Sequence, residues 1–133
     1  MWIYEEIYKM LEELTEGFQF MPNYLKLKAP GFMDYLNVDK LGVGIIALSH
    51  YYKDPSGHRI ADPDMEIKLD HQNKTAEALT YQDSFTFRDA YPEPGKIDLK
   101  AKKELNEFLL QWLKNLKEQG YRVAKEENDK EAL

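Results

Sequence analysis

The sequence predicts an α+β fold: an N-terminal helix, a mostly antiparallel sheet of about four to five strands, and a long C-terminal helix, with both helices on one face. Three observations carry this. Met65, Ile67 and Leu69 alternate with Glu66, Lys68 and Asp70, the pattern of a strand with one buried and one wet face. Leu105, Phe108, Leu109, Trp112, Leu113 and Leu116 recur at helical spacing. The helical stretches flank the strand-like ones instead of alternating with them, which favours hairpins over parallel crossovers.

Residues 2–16 read as a helix on Ile3, Ile7, Met10 or Leu11, and Leu14, with Gly17 at the C-terminal stop. Phe18, Phe20 and Met21 are expected to tuck under the sheet. Tyr24–Lys28 alternates and forms the first strand, which Ala29-Pro30-Gly31 breaks. Phe32–Val38 is ambiguous and reads as a strand continuation, with Asp39-Lys40 as the connection to the next strand. Val43–Tyr52 is the central strand: β-branched and aromatic residues dominate it, and it has no proline and no formal charge. Alternation places Val43, Ile45, Ala47, Ser49 and Tyr51 on one face and Gly44, Ile46, Leu48, His50 and Tyr52 on the other.

Lys53–Pro63 reads as a loop, with Pro55-Ser56-Gly57 as its turn. At about ten residues it exceeds a tight hairpin turn, a length that suits a functional or mobile segment and leaves the hairpin register open. After the strand Asp64–Asp70, residues 71–74 turn into Thr75–Gln82, where Ala-Glu-Ala-Leu could also be helical but strand is preferred, because Ser84–Phe87 beside it is strand-like and the loops are short. Pro92, Pro94 and Gly95 mark a loop, Asp98 is the N-cap of a helix over Leu99–Gln119, and Gly120 stops it. Residues 1–124 are expected to form one domain, with 125–133 a charged, frayed tail.

A chain of 133 residues buries roughly two-thirds of its unfolded surface, enough for a core. The absence of cysteine excludes disulfides and thiolate metal sites and fits a reducing cytoplasm. No apolar run is long enough for a membrane span, and the first residues lack the basic segment of a signal peptide, so no membrane partner is expected. A net charge of −6 argues against a broad phosphate-binding surface, hence against nucleic acid, and is compatible with a basic partner. Glu5, Glu6, Glu12, Glu13 and Glu16 read first as a solvated helix face and second as an acidic docking surface or nucleic-acid mimic.

The three histidines are His50, His58 and His71. His50, His58 and an aspartate could form an N/O metal site, but no HxH or HExxH spacing is present, and Asp62-Pro63-Asp64 is not a calcium-loop pattern. Asp54, Asp62 and Asp64 read better as turn and strand-start residues. General acid–base work would pair His50 with Glu66, if the register puts them on one side. Ser49 and His50 point to opposite faces and make no nucleophile pair. There is no phosphate-binding glycine loop and no nucleophile elbow, and Gly42-x-Gly44 alone reads as close packing or strand twist. No catalytic residue, metal ligand or cofactor is assigned. Tyr24, Tyr35, Tyr51, Tyr52, Tyr81, Phe85, Phe87 and Tyr91 could stack on single-stranded nucleic acid, but that needs a basic groove beside them, and packing or a protein interface is the better reading.

The stretches IALSHYY, ADPDMEI and FLLQWLKNLKEQGY together resemble an uncharacterised bacterial domain family associated with plasmids, phages and other mobile elements, from the first helix to about Tyr121. The loop after the paired tyrosines departs from the family pattern, so His58 does not look like a shared residue. The resemblance implies a context, an accessory protein of a mobile element, and no activity. The leading expectation is a small cytoplasmic, non-enzymatic module that binds a protein through His50, Tyr51, Tyr52, Asp54, His58, Asp62 and Asp64. The alternatives are a metal-assisted hydrolase or nuclease centred on His50, Asp62, Asp64 and Glu66, and a nucleic-acid-binding module. A homodimer would cover any apolar surface left on the sheet.

Overall fold

The computed structural model describes residues 2–18 and 21–124. Phe20 and the tail from Lys125 lie outside the described residues. The first helix, α1 (Trp2–Thr15), buries Ile7, Tyr8, Leu11 and Leu14. It ends where the chain turns left-handed at Glu16 (φ 60°) and Gly17 (φ 101°), whose N–H donates to the Glu12 carbonyl at 2.9 Å. Phe18 and Met21 are buried as expected.

Next come β1 (Tyr24–Lys28), β2 (Tyr35–Gly42), β3 (Ile45–Lys53), β4 (Arg59–Asp70), β5 (Thr75–Gln82) and β6 (Phe87–Asp89). Then follow α2 (Leu99–Gln119) and β7 (Arg122–Val123). All pairings are antiparallel, and the sheet has seven strands in the order β6-β5-β4-β3-β2-β1-β7. Six strands form a simple meander, and the chain closes it by returning beside β1 after α2.

Seven strands replace the expected four to five. The additional β6 and β7 are three and two residues long, too short for alternation to register in a sequence. Asp39 and Lys40 belong to β2 and are not a connection. The β2–β3 reversal falls instead at Val43-Gly44, where Val43 is fully exposed and Gly44 takes φ 70°. The expected long loop at 53–63 shrinks to Asp54–His58, because β4 already begins at Arg59. Pro63 is accommodated inside β4 by a bulge, where Ser49 to Tyr51 on β3 faces the longer run Asp64 to Ala61. Ser84–Thr86 is a turn, not strand: Asp83 Oδ1 accepts the N–H groups of Phe85 (2.8 Å) and Thr86 (2.7 Å).

Both helices lie on one face of the sheet and against each other. That face supplies Leu25, Leu27, Leu36, Val38, Ile46, Leu48, Met65, Ile67, Leu69, Ala76 and Ala78 to one core with Leu105, Leu109, Leu113 and Leu116. In α2 the Asp98 side chain accepts the Ala101 N–H at 3.0 Å, and Gly120 (φ 85°) closes the helix with its N–H on Lys117 O. Asn106 sits in the apolar stripe of α2, 2% exposed; its Oδ1 accepts the Ala78 N–H at 2.8 Å, and its Nδ2 donates to Lys102 O at 2.7 Å. This bond pins α2 to β5.

Candidate functional site

Residues paired across antiparallel strands share a face, so the register writes out the side of the sheet that no helix covers. One row crosses six strands: Lys26, Asn37, Ser49, Asp64, Gln82 and Phe87. A second row, one pleat along, is Tyr24, Asp39, Ala47, Glu66, Thr80 and Asp89. On the other side of the first row stand Tyr35, Tyr51 and Ala61.

This face is ordered by its own side chains. The Tyr35 and Tyr51 rings stack at 5.3 Å with 12° between their planes. Lys26 Nζ lies 4.5 Å and Arg59 Cζ 5.7 Å from the Tyr35 ring centre. Asn37 and Ser49 are only 3% and 2% exposed, although no described helix lies over them. The tyrosine pair stands next to them along β2 and β3. Ser49 Oγ donates to Asp64 Oδ1 at 2.9 Å. Asn37 Nδ2 stands 3.5 Å from both Asp39 carboxylate oxygens, while Asn37 Oδ1 is buried with no hydrogen-bond partner among the described residues. Burial pushes the Tyr51 hydroxyl pKa up, and the negative charges of Asp39 and Asp64 add to it.

The seven residues expected to bind a partner fall in three places. Tyr51 and Asp64 are on the uncovered face. His50 and Tyr52 belong to the helix-side face near the end of the sheet, with rings 6.4 Å apart. There His50 Nε2 is 3.4 Å from Asp34 Oδ2, and His50 Nδ1 donates to the Asp62 carbonyl at 3.2 Å. The Asp62 carboxylate accepts from Ser84, N–H at 3.2 Å and hydroxyl at 2.6 Å, fastening the β5–β6 turn. Asp54 and His58 form the hairpin tip: Asp54 Oδ1 accepts from Ser56 N and Oγ and from His58 N, which holds the Asp54 carboxyl below its ordinary range.

The sheet itself therefore separates His50 from Asp64 and Glu66, and does not assemble the quartet considered for metal-assisted hydrolysis. Among the described residues no three His, Asp or Glu side chains converge at metal-binding spacing. Of the five glutamates read on the first helix, Glu16 lies past the end of α1, and Glu6 and Glu13 face lysines of α2, at 4.0 Å from Lys114 and 3.5 Å from Lys117. His71 accepts or donates a bond with the Tyr8 hydroxyl at 2.9 Å and packs on Phe18. No described helix is long and apolar enough to cross a membrane.

Sequence reading missed Asn37 and Asp39 as site residues, and named Tyr35 only among the aromatics of a possible stacking or interface surface. The signal was there: Tyr35, Asn37 and Asp39 alternate with the buried Leu36 and Val38, a half-wet strand like that of β4. No curated protein and no solved structure matches the chain. A family described as a domain of unknown function (DUF6908) matches residues 3–122, and the chain belongs to it.

Proposed function

We propose that the domain is a non-enzymatic protein-binding module, an accessory protein of a mobile element working in the cytoplasm, and that it holds its partner on the sheet face opposite the helices. One observation carries this reading. A face that no described helix covers nonetheless buries Asn37 and Ser49 and carries a stacked tyrosine pair beside them. Tyrosines present large, rigid, amphipathic surface, and they are enriched at the cores of protein interfaces. The mobile-element setting rests on the resemblance carried by residues 46–52, 61–67 and 108–121.

The test is site-specific photo-cross-linking in cells. A photoreactive residue replaces Lys68, exposed on the uncovered face, or Lys103, exposed on the outer side of α2. The expected result is a discrete protein adduct from position 68, absent from position 103 and lost when Tyr51→Ala is added. An adduct from position 103 with none from position 68 would move the binding surface to the helices and overturn the reading.

A further inference from the structure

We propose that a second site, at the end of the sheet where α1 meets the β4–β5 turn, takes a trimethylammonium group in a cage made by Tyr8, Phe18, His71 and Glu12. The site stands apart from the uncovered sheet face and does not rest on the reading given for it.

Three elements bring the cage together. Tyr8 and Glu12 lie on α1 four residues apart, hence on one side of the helix. Phe18 follows the left-handed turn at Glu16 and Gly17 that ends α1. His71 opens the turn between β4 and β5. Among the described residues, these four line a cavity of about 350 Å³. Ligand pockets run from about 300 Å³ upward, so there is room for a small head group and little more. Tyr8 and Phe18 form the floor, 6% and 7% exposed, and His71 and Glu12 stand exposed at the rim.

The rings are arranged as walls. Their centroids are 5.1 Å apart for Tyr8 and Phe18, 5.8 Å for Tyr8 and His71, and 5.5 Å for Phe18 and His71. Their planes are inclined by 53°, 73° and 60°, so no two of them stack. The centroid spacing lets one group lie within the ~6 Å cation–π reach of all three rings. The cage is also set before any ligand arrives. The Tyr8 hydroxyl and His71 Nδ1 are hydrogen-bonded at 2.9 Å, which ties the turn to α1 and fixes two of the walls.

Charge at the site favours a cation. Glu6 and Glu13 of α1 face lysines of α2, whereas the Glu12 carboxylate makes no ion pair with a described residue. Burial raises the Tyr8 hydroxyl pKa, and the negative charges of Glu12 and Asp70 add to it. The neighbouring cavity shares Phe18 and His71 and contains Lys40, whose Nζ is engaged by the Met21 carbonyl at 2.6 Å.

The lining also selects the kind of cation. A bare ammonium or a guanidinium must exchange its water for several hydrogen-bond acceptors, and the cavity offers one carboxylate and a hydroxyl that is already bonded. Among the described residues no three His, Asp or Glu side chains gather to ligate a metal ion. A trimethylammonium group has no N–H to satisfy, and its methyl groups carry the positive charge directly onto aromatic faces.

Titration of the full chain with choline and with 3,3-dimethylbutan-1-ol, its uncharged carbon isostere, tests this by NMR at about pH 8, where imidazole is neutral, and at about 0.15 M salt. Choline should shift the ring signals of Tyr8, Phe18 and His71 saturably, and bind at least about fivefold more tightly than the alcohol. Glu12→Gln should weaken choline binding about threefold or more, and Glu13→Gln should leave it unchanged. Phe18→Leu should abolish the preference for choline over the alcohol. If Phe18→Leu fails to fold, His71→Leu removes a wall from an exposed turn and should do the same. Equal or tighter binding of the alcohol, or no saturable shift of the rings, overturns the inference. So does a choline affinity that neither Glu12→Gln nor His71→Leu changes. A short peptide carrying trimethyl-lysine, run beside its unmodified counterpart, identifies the source of the group. Tighter binding of that peptide than of choline supports the cage with a protein side chain as its ligand, and the reverse order supports it with a free small molecule.

Discussion

The Ser49 hydroxyl donates to the Asp64 carboxylate at 2.9 Å across β3 and β4, on the side of the sheet that no helix covers. Ser49 is 2% exposed, whereas Asp64 keeps partial access to water. The two ends of this bond are therefore unequal. Ser49→Ala leaves a carboxylate that water can re-solvate, and it should cost about 1 kcal/mol. Asp64→Ala strands a buried hydroxyl and should cost more, about 2 kcal/mol. A double-mutant cycle in urea measures the coupling, and additive losses would show that the bond contributes nothing.

Asn106 offers a sharper stability test because both of its bonds are internal. Asn106→Leu keeps the volume and suits an apolar stripe, yet it removes the acceptor for the Ala78 N–H, which lies on a fully buried residue. An unpaired buried donor costs about 1–3 kcal/mol. The variant should lose about 2 kcal/mol and speed hydrogen exchange at the Ala78 amide. A stabilised Asn106→Leu would mean that burial of the leucine outweighs the lost bond.

What the sequence revealed and what it concealed follows from this geometry. Both long helices, the alternating half of β4 and the β3 face assignments were legible, because each repeats one period over many residues. The edge strands β6 and β7 were not, since pairing partners far along the chain create them and two or three residues carry no period. Pro63 and the aspartates on either side of it made Arg59–Pro63 look like loop, because turn chemistry outweighed a strand signal that a bulge preserves. The candidate face stayed hidden for a related reason. Its members are individually ordinary polar residues, and only the register, set by β2 reaching Gly42, brings Asp39, Ala47 and Glu66 into one row.

Stability should fall at both ends of the pH scale, for different groups. Local hydrogen bonds, led by the Ser56 hydroxyl at Asp54, the Asn73 N–H at Asp70 and the Tyr81 hydroxyl at Asp83, hold these carboxyls below their ordinary range. The folded state favours their charged form, so their contribution is full above about pH 4 and is lost as pH drops through the lowered values. Tyr81 behaves oppositely. Burial and its bond to Asp83 Oδ2 at 2.7 Å push its pKa up to about 12. Its contribution is full below about pH 10 and disappears as pH rises toward that value. Urea midpoints against pH should thus be level near neutrality and decline on each side. Tyr81→Phe should flatten the alkaline decline, and Asp83→Asn should soften both. An alkaline slope unchanged in Tyr81→Phe would assign that limb to other groups.

Gly44 and Gly57 separate backbone strain from steric closeness. Both turn left-handed, at φ 70° and 89°. An alanine methyl at position 57 meets nothing within 4 Å, so Gly57→Ala should cost only the left-handed conformation, about 1–2 kcal/mol. At position 44 the same methyl would stand 3.0 Å from the Leu69 carbonyl oxygen. That carbonyl cannot readily retreat, because the Leu69 N–H is anchored on Gly44 O at 2.7 Å. Gly44→Ala should therefore cost about 3 kcal/mol or more, the conformational penalty plus overpacking. Urea denaturation of the two variants side by side measures the difference. Equal losses would mean that β3 and β4 part there at little cost, and that the close approach is not what holds the β2–β3 turn against β4.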